Sequence, residues 1–266
     1  MAIGDQGNSV ALVGCGRLGS SILEGWLKTG IVDAGALIIL TPSSKPAAEA
    51  ALARGARINP DPSAFAAVKT VVLAVKPAMW REAVAGLPDT LNPDAVMVSV
   101  MAGVAAAEIG AASGRPVARV MPTTAVAQGR GVAALWSGDA GAREVARGLF
   151  AAMADVVDLD RESQIDAATA TAGSAPAFIY DFVLALARAG EAEGLSAEAA
   201  TRLARGALRS AGAGIDSGET LEALIDRIAA PGGTTRAGLD AMAASGDGER
   251  AAEAAIKAAV ERARAY

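Results

Sequence analysis

The stretch Ser9-Val10-Ala11-Leu12-Val13-Gly14-Cys15-Gly16-Arg17-Leu18-Gly19 decides how the rest of the chain is read. Five residues of strand character run directly into glycines spaced G-x-G-x-x-G. Ser20–Thr29 then carries Ile22, Leu23 and Trp26 at helical spacing, with Gly30 placed as a C-cap. The glycines allow a tight turn and close approach of main chain to a pyrophosphate. The helix start adds unpaired N–H groups and the positive end of the helix dipole. A plain glycine-rich turn would look similar, but the strand before and the helix after are the context that gives the motif meaning.

Working outward, Ala36–Leu40, Thr70–Val75, Val96–Val100 and Ala118–Met121 read as further strands, separated by helical stretches such as Ala47–Arg54. Strands alternating with helices predict an α/β fold with a doubly wound parallel sheet. The character changes near Asp158–Gln164. Beyond it the chain offers helices only: Ala175–Glu193, Ala197–Gly212, Leu221–Ile228, Thr235–Ala243 and Glu249–Ala265, with Ser196 and Thr220 as N-caps. We therefore expect a Rossmann-type domain over 1–160 and an all-α domain over 161–266, joined without a flexible linker.

The second strand ends in Thr41-Pro42-Ser43-Ser44-Lys45, with no carboxylate before Glu49. A binder of NAD usually places Asp or Glu there, on the ribose hydroxyls. Hydroxyls and an ammonium suit a 2′-phosphate, so Thr41, Ser43 and Ser44 point to NADPH, with NADH possible. Val75-Lys76-Pro77 and Met101-Ala102-Gly103 close two more strands, along the edge where ligands of open parallel sheets gather. Lys76 reads equally well as a surface charge.

Composition removes many alternatives. The chain has 266 residues, no histidine, one cysteine (Cys15) and five lysines (Lys28, Lys45, Lys69, Lys76 and Lys257). Histidine-based triads, histidine general acids, ordinary zinc sites and an internal disulfide are excluded. With 24 basic against 29 acidic residues and no basic cluster, a nucleic-acid partner is not expected. No apolar run reads as a membrane span, and Met1–Ser9 lacks a charged region followed by an apolar one. We expect a soluble, cytoplasmic protein with no membrane partner. Trp26, Trp80 and Trp136 read as packing residues, and Cys15 as a small apolar filler.

Pro231-Gly232-Gly233-Thr234-Thr235-Arg236-Ala237-Gly238-Leu239 is the most specific stretch. A double glycine after proline gives unusual backbone angles, and two threonines stand at a helix start, where successive N–H groups form an anion nest. A helix capped by its own threonine would also account for it.

With these residues the sequence resembles the pyrroline-5-carboxylate reductase family over nearly the whole chain. The resemblance takes in Gly14–Gly19, Ala74–Pro77, Ser99–Val104, Arg119–Pro122, Gly129–Leu135, Thr171–Phe178 and above all Ala230–Met242. It implies hydride transfer from NADPH to the C=N carbon of 1-pyrroline-5-carboxylate, giving L-proline. The substrate carboxylate would lie on amides near Gly232, Gly233, Thr234 and Thr235, with the Thr235 hydroxyl at the ring nitrogen. The nicotinamide would lie near Met101, Ala102, Met121 and Pro122. The helical domain would interlock with that of a second chain, making a homodimer the minimum and leaving larger rings such as a decamer open.

The chain departs from the family's common residues at Thr123 (for Asn), Ala125 (for Pro), Ala175 (for Gly) and Ala230 (for Ser). These departures leave open a related reductase acting on another cyclic imine carboxylate, and a non-catalytic nucleotide-binding homologue. A 3-hydroxyacid dehydrogenase of similar layout would need a lysine on the first long helix of the second domain. Here Lys257 is the only lysine after Lys76.

Overall fold

The computed structural model describes residues 9–264. The reading of the N-terminus at residues 1–8, and the reach of the last expected helix to Ala265, lie outside them. The chain divides into two compact units, one running to Gly173 and resuming at Val260, the other Ser174–Ala259. Composition marks where strands stop, near residue 160. Packing carries the first unit further, because Ile165 and Ala170 are buried within it.

In the first unit the strands are β1 (Ser9–Val13), β2 (Leu37–Leu40), β3 (Arg57–Ile58), β4 (Val68–Leu73), β5 (Val96–Ser99), β6 (Val117–Pro122), β7 (Gly131–Ser137) and β8 (Ala154–Asp158). They form one sheet in the order β3-β2-β1-β4-β5-β6-β7-β8. All neighbouring pairs are parallel except β6–β7, which is antiparallel. The first six follow the order 3-2-1-4-5-6 of the dinucleotide-binding fold, with the switch point between β1 and β4.

Strands β3, β7 and β8 were not foreseen. β3 has two residues, β7 is diluted by glycine and alanine, and β8 is an edge strand with two aspartates. None carries the run of β-branched residues that announces a buried strand. The antiparallel pair follows from the short connection, a 3-10 turn at Thr124–Gln128, too brief for a parallel crossover.

Alternating strand residues feed two cores. Val10 and Leu12 pack with Ile22, Leu23 and Trp26 of α1 (Arg17–Thr29), the alanines of α2 (Pro46–Leu52), and Leu149 and Phe150 of a later helix (Ala140–Phe150). Ala11 and Val13 pack on the other face with Trp80 and Val84 of α3 (Trp80–Ala85) and Ile109 of α4 (Ala106–Ser113). Both faces of the sheet are thus covered, as parallel sheets require. The Ala140–Phe150 helix is α5, capped by the Asp139 carboxylate on the Ala142 N–H at 2.7 Å. Trp26 is fully buried, and its indole N–H donates to the Leu149 carbonyl at 2.9 Å. Trp80 is also buried, and Trp136 packs on the second core.

After β8 the chain forms α6 (Ile165–Ala168) and a π-helical turn at Thr169–Ser174 that runs into α7 (Ala175–Ala192). This corrects the reading that no segment is long and apolar enough for a span. Helical structure is continuous over Glu162–Ala192, and one window there has mean hydropathy 1.4. Gly173 and Pro176 interrupt the sequence pattern but not the helix, which is why the length was missed. By length and composition this stretch is able to cross a membrane, and its window is mostly exposed.

The second unit is helical, as expected: α7, α8 (Ala197–Ile215), α9 (Leu221–Ile228), α10 (Thr234–Ser245) and the greater part of α11 (Asp247–Ala263). Ser196 and Thr220 cap α8 and α9, accepting from Ala199 N–H at 3.3 Å and Ala223 N–H at 3.2 Å. Its buried cluster is small, consisting of Ala187, Ala200 and Ala204 with Val183 against it. Phe178, Ile179, Phe182, Leu184 and Leu186 of α7 are exposed, as are Leu203, Ile215, Leu221 and Ile228. Large side chains on the outside and alanines inside invert the usual distribution.

Candidate active site

The parallel strands bring the expected cofactor residues to one edge of the first unit. The Gly14 N–H donates to Leu40 O at 2.9 Å, the Ala74 N–H to Val13 O at 2.8 Å, and the Val100 N–H to Leu73 O at 3.1 Å. These bonds align the turns after β1, β2, β4 and β5, so Gly14–Gly19, Thr41–Lys45, Val75–Pro77 and Met101–Ala102 end side by side. Met121 and Pro122 close β6 next to them.

The three glycines have three different reasons. Gly14 has φ +97°, and a Cβ there would come 2.7 Å from Ala74 O. A Cβ at Gly19 would come 2.3 Å from Gly14 O. A Cβ at Gly16 would meet nothing within 4 Å, and its φ of −74° suits any residue. Gly14 and Gly19 are therefore required by the fold, whereas Gly16 keeps open a space outside it. Gly16 is also the N-cap of α1 and supplies no side-chain bond. The helix begins with Ser20 N–H to Gly16 O at 2.8 Å, which leaves the N–H groups of Arg17, Leu18 and Gly19 without partners in the helix. An open cradle above Gly16, floored by free N–H groups, fits a dinucleotide pyrophosphate.

At the end of β2 the residues separate in role. Thr41 is buried, and its hydroxyl donates to Ser43 O at 2.9 Å, so it braces the loop and does not face outward. The Ser44 hydroxyl donates to Glu49 Oε1 at 3.0 Å, while Ser43 is exposed. Asn59 was missed by the sequence reading. Its carboxamide accepts from the Thr41 N–H at 3.0 Å and donates to Thr41 O at 2.8 Å. It lies beyond a two-residue strand, at φ +45°, with no local pattern to single it out.

The Lys76 side chain is exposed and has no hydrogen-bond or ion-pair partner among the described residues. With Pro77, Trp80, Gly103 and Val104 it lines a cavity of about 500 Å3 at the same sheet edge. Met101 is buried, its N–H donating to Ser99 Oγ at 3.3 Å. Cys15 is buried beside Ser20, as a filler should be.

Within the second unit, Ala230–Gly233 forms a tight turn closed by Gly233 N–H to Ala230 O at 3.0 Å. Proline precedes Gly232, whose φ is +74°, the chemistry of a type II turn. Gly233 is the N-cap of α10 and gives no side-chain cap. The first bond of the helix is Ala237 N–H to Gly233 O at 3.1 Å, so the N–H groups of Thr234, Thr235 and Arg236 lack helical partners. Neither threonine hydroxyl has a partner among the described residues, and the self-capped alternative does not hold. Arg236, left undecided by the sequence, braces the turn by donating to Asp226 Oδ1 at 2.8 Å and Ala229 O at 3.2 Å. At the first departure from the family pattern, Thr123 Oγ1 accepts the Val132 N–H at 3.2 Å, extending the β6–β7 pairing.

Fold and site together define a class: a Rossmann-type unit carrying the dinucleotide turn, followed by an all-helical unit with its own glycine-capped nest. Residues 9–103 match the family described as NADP oxidoreductase, coenzyme F420-dependent, and residues 162–266 match pyrroline-5-carboxylate reductase dimerisation. The chain is 34% identical over 241 residues to a pyrroline-5-carboxylate reductase of Pseudomonas aeruginosa, covering 86% of each. It is 31% identical to that of Pisum sativum, covering 87% of this chain and 86% of the other. A solved reductase from Coxiella burnetii aligns with TM-score 0.86 and 25% identity, covering 97% of this chain and 98% of that one. The Plasmodium falciparum pyrroline carboxylate reductase, solved with NADP bound, aligns with TM-score 0.77 at 23% identity over 97% of each chain, a likeness of fold. This chain belongs to the pyrroline-5-carboxylate reductase family.

Proposed function

We propose that the protein is an NADPH-dependent reductase of 1-pyrroline-5-carboxylate, forming L-proline. The observation that carries the reading is the Pro231–Thr235 turn, kept intact in a chain of this family, with uncapped N–H groups and two free threonine hydroxyls. A carboxylate is the ligand such a nest accepts.

The bound reduced nicotinamide supplies the hydride. The residues do the rest by orientation. The amides of Arg17, Leu18 and Gly19 hold the pyrophosphate above Gly16. Ser43 and Lys45 face the 2′-phosphate, from a loop set by Thr41 and Asn59, with Ser44 joining them once its hydroxyl leaves Glu49, and Lys76 adds positive charge. Met101, Ala102, Met121 and Pro122 form the apolar wall for the nicotinamide. The N–H groups of Thr234 and Thr235 grip the substrate carboxylate, and the Thr235 hydroxyl orients the ring nitrogen. A cyclic imine enters already protonated, so its carbon is electrophilic without an enzymic acid, which suits a chain without histidine. Thr235 need not donate a proton.

The exposed apolar side chains of α7, α8 and α9 support a homodimer formed through the helical unit, within residues matched to a dimerisation family. A second chain covering this surface also accounts for the apolar stretch over Glu162–Ala192 without a membrane. A cytoplasmic setting goes with this reading.

The test follows loss of NADPH and of NADH separately, with five- and six-membered cyclic imine carboxylates. The proposal expects the highest turnover with NADPH and the five-membered ring. Higher turnover with the six-membered ring would favour the second reading, a relative specialised for another imine. That reading draws on Thr123, whose hydroxyl is held by Val132. Binding of NADPH with no oxidation by either imine would mean a non-catalytic homologue.

A further inference from the structure

The loop joining β5 to α4 is tied at both ends to a single ion pair contributed from elsewhere in the first unit, its arginine buried and its glutamate partly exposed. Arg119, on β6, is 6% exposed. Its Nη1 donates to Glu162 Oε1 at 3.0 Å and its Nη2 to the Met101 carbonyl at 3.4 Å. The same Glu162 oxygen accepts the N–H of Ala106, the first residue of α4, at 2.7 Å. Met101 is fixed from the other side by Ser99. The five residues from Met101 to Ala105 are thus held at the carbonyl where they begin and at the N–H just beyond their end. Gly103, at φ +69°, lets the chain turn between.

As a stability device this arrangement is a poor one. Arg119 is taken out of water to make the pair, and that desolvation offsets much of its attraction to the partly exposed Glu162. Arg119 also leaves its Nε buried without a hydrogen-bond partner among the described residues. Arginine suits the place for another reason: its planar fork reaches the Glu162 carboxylate and the Met101 carbonyl at once, which no apolar residue does. Glu162, 56 positions from Ala106, serves as a long-range cap for a helix whose own N-cap, Ala105, provides none.

We infer that Arg119 and Glu162 are positioning residues for hydride transfer, holding the Met101–Ala105 loop in the shape that receives the nicotinamide. This rests on the reductase reading. Neither residue touches the reacting atoms; Arg119 acts through the Met101 carbonyl, and Glu162 through Arg119 and the Ala106 N–H.

The experiment compares wild type, Arg119→Met and Glu162→Gln. Turnover, KM for NADPH, the deuterium isotope effect on turnover with NADPH labelled at the transferred hydrogen, and the thermal midpoint are measured for each. Misplacement of reacting groups by about 1 Å costs on the order of 100-fold. Arg119→Met is expected to lose about 10- to 100-fold in kcat, with a larger isotope effect as hydride transfer becomes limiting. NADPH KM should change less than about threefold, since the pyrophosphate cradle is untouched. Glu162→Gln keeps an acceptor for Ala106 but weakens the hold on Arg119, and should fall about 3- to 10-fold. A purely structural pair would lower the thermal midpoint and leave kcat per folded site and the isotope effect at wild-type values. That result overturns the inference. Should Arg119→Met fail to fold, Glu162→Gln decides by the same criterion. Wild type inactive on every imine would refute the reductase reading and the positioning role with it. An active wild type with unaltered variants would refute the positioning role alone.

Discussion

Replacing Gly16 by alanine separates binding from folding, and Gly19→Ala is its control. At Gly16 the added methyl meets no protein atom within 4 Å, and φ is −74°, so the fold accepts it. The loss of a glycine N-cap costs a few tenths of a kcal/mol to about 1 kcal/mol, partly offset by reduced freedom of the unfolded chain. The melting temperature should therefore stay within about 3 °C of wild type. The methyl does fill the cradle where the pyrophosphate sits. Lifting the ligand off one amide removes a charge-assisted hydrogen bond worth about 1.5–3 kcal/mol, so NADPH should bind about 10- to 150-fold more weakly. Gly19→Ala behaves oppositely. Its Cβ would lie 2.3 Å from the main-chain oxygen of Gly14, which cannot swing aside. Overpacking of this kind costs about 1–3 kcal/mol, or about 2–12 °C in Tm for a chain of this size. The assay is a calorimetric NADPH titration of each variant beside its thermal melt. Wild-type affinity in Gly16→Ala, or a loss of Tm in Gly16→Ala equal to that in Gly19→Ala, would refute the assignment of the open space to a dinucleotide.

Thr235→Ala should lower turnover at least about tenfold with an unchanged melting temperature, and Thr235→Ser should recover most of it, because the hydroxyl is exposed and has no structural partner; full activity in the alanine variant, read by steady-state kinetics, would count against its role. Arg236→Ala should raise KM for the imine several-fold while sparing NADPH, since the side chain ties the turn to Asp226 and Ala229. The pH dependence of turnover should follow protonation of the imine itself, so a substrate of different ring basicity should shift the apparent pKa; an unmoved pKa would place the titrating group in the protein. Phe182→Asp with Leu186→Asp should give monomers in sedimentation, as both side chains are exposed on α7; persistence of the dimer would move the interface elsewhere.

Much of this was legible in the sequence because local rules settle it. A strand running into Gly14–Gly19, the Pro-Gly turn at 231–232 and the N-caps Ser196 and Thr220 depend on neighbours within a few positions, and each stands where spacing put it. The absence of histidine fixed what kind of acid–base chemistry was available before any coordinates. Other features are relations between residues far apart in the chain. Thr41 carries a hydroxyl that composition offers to a phosphate, yet its bond to Ser43 and the grip of Asn59 turn it inward. Strands β7 and β8 exist because the sheet provides partners for weak strand formers, and the π-turn at Thr169–Ser174 has no periodicity to announce it. The sequence by itself determined the strand–helix alternation of the first half, the helical second half and the two glycine-capped helix starts, because backbone angles and side-chain size act over one turn of chain. Only the tertiary structure decided which polar groups remain free for ligands and that Arg119, Met101, Ala106 and Glu162 meet, because hydrogen bonds are shared out by proximity in space.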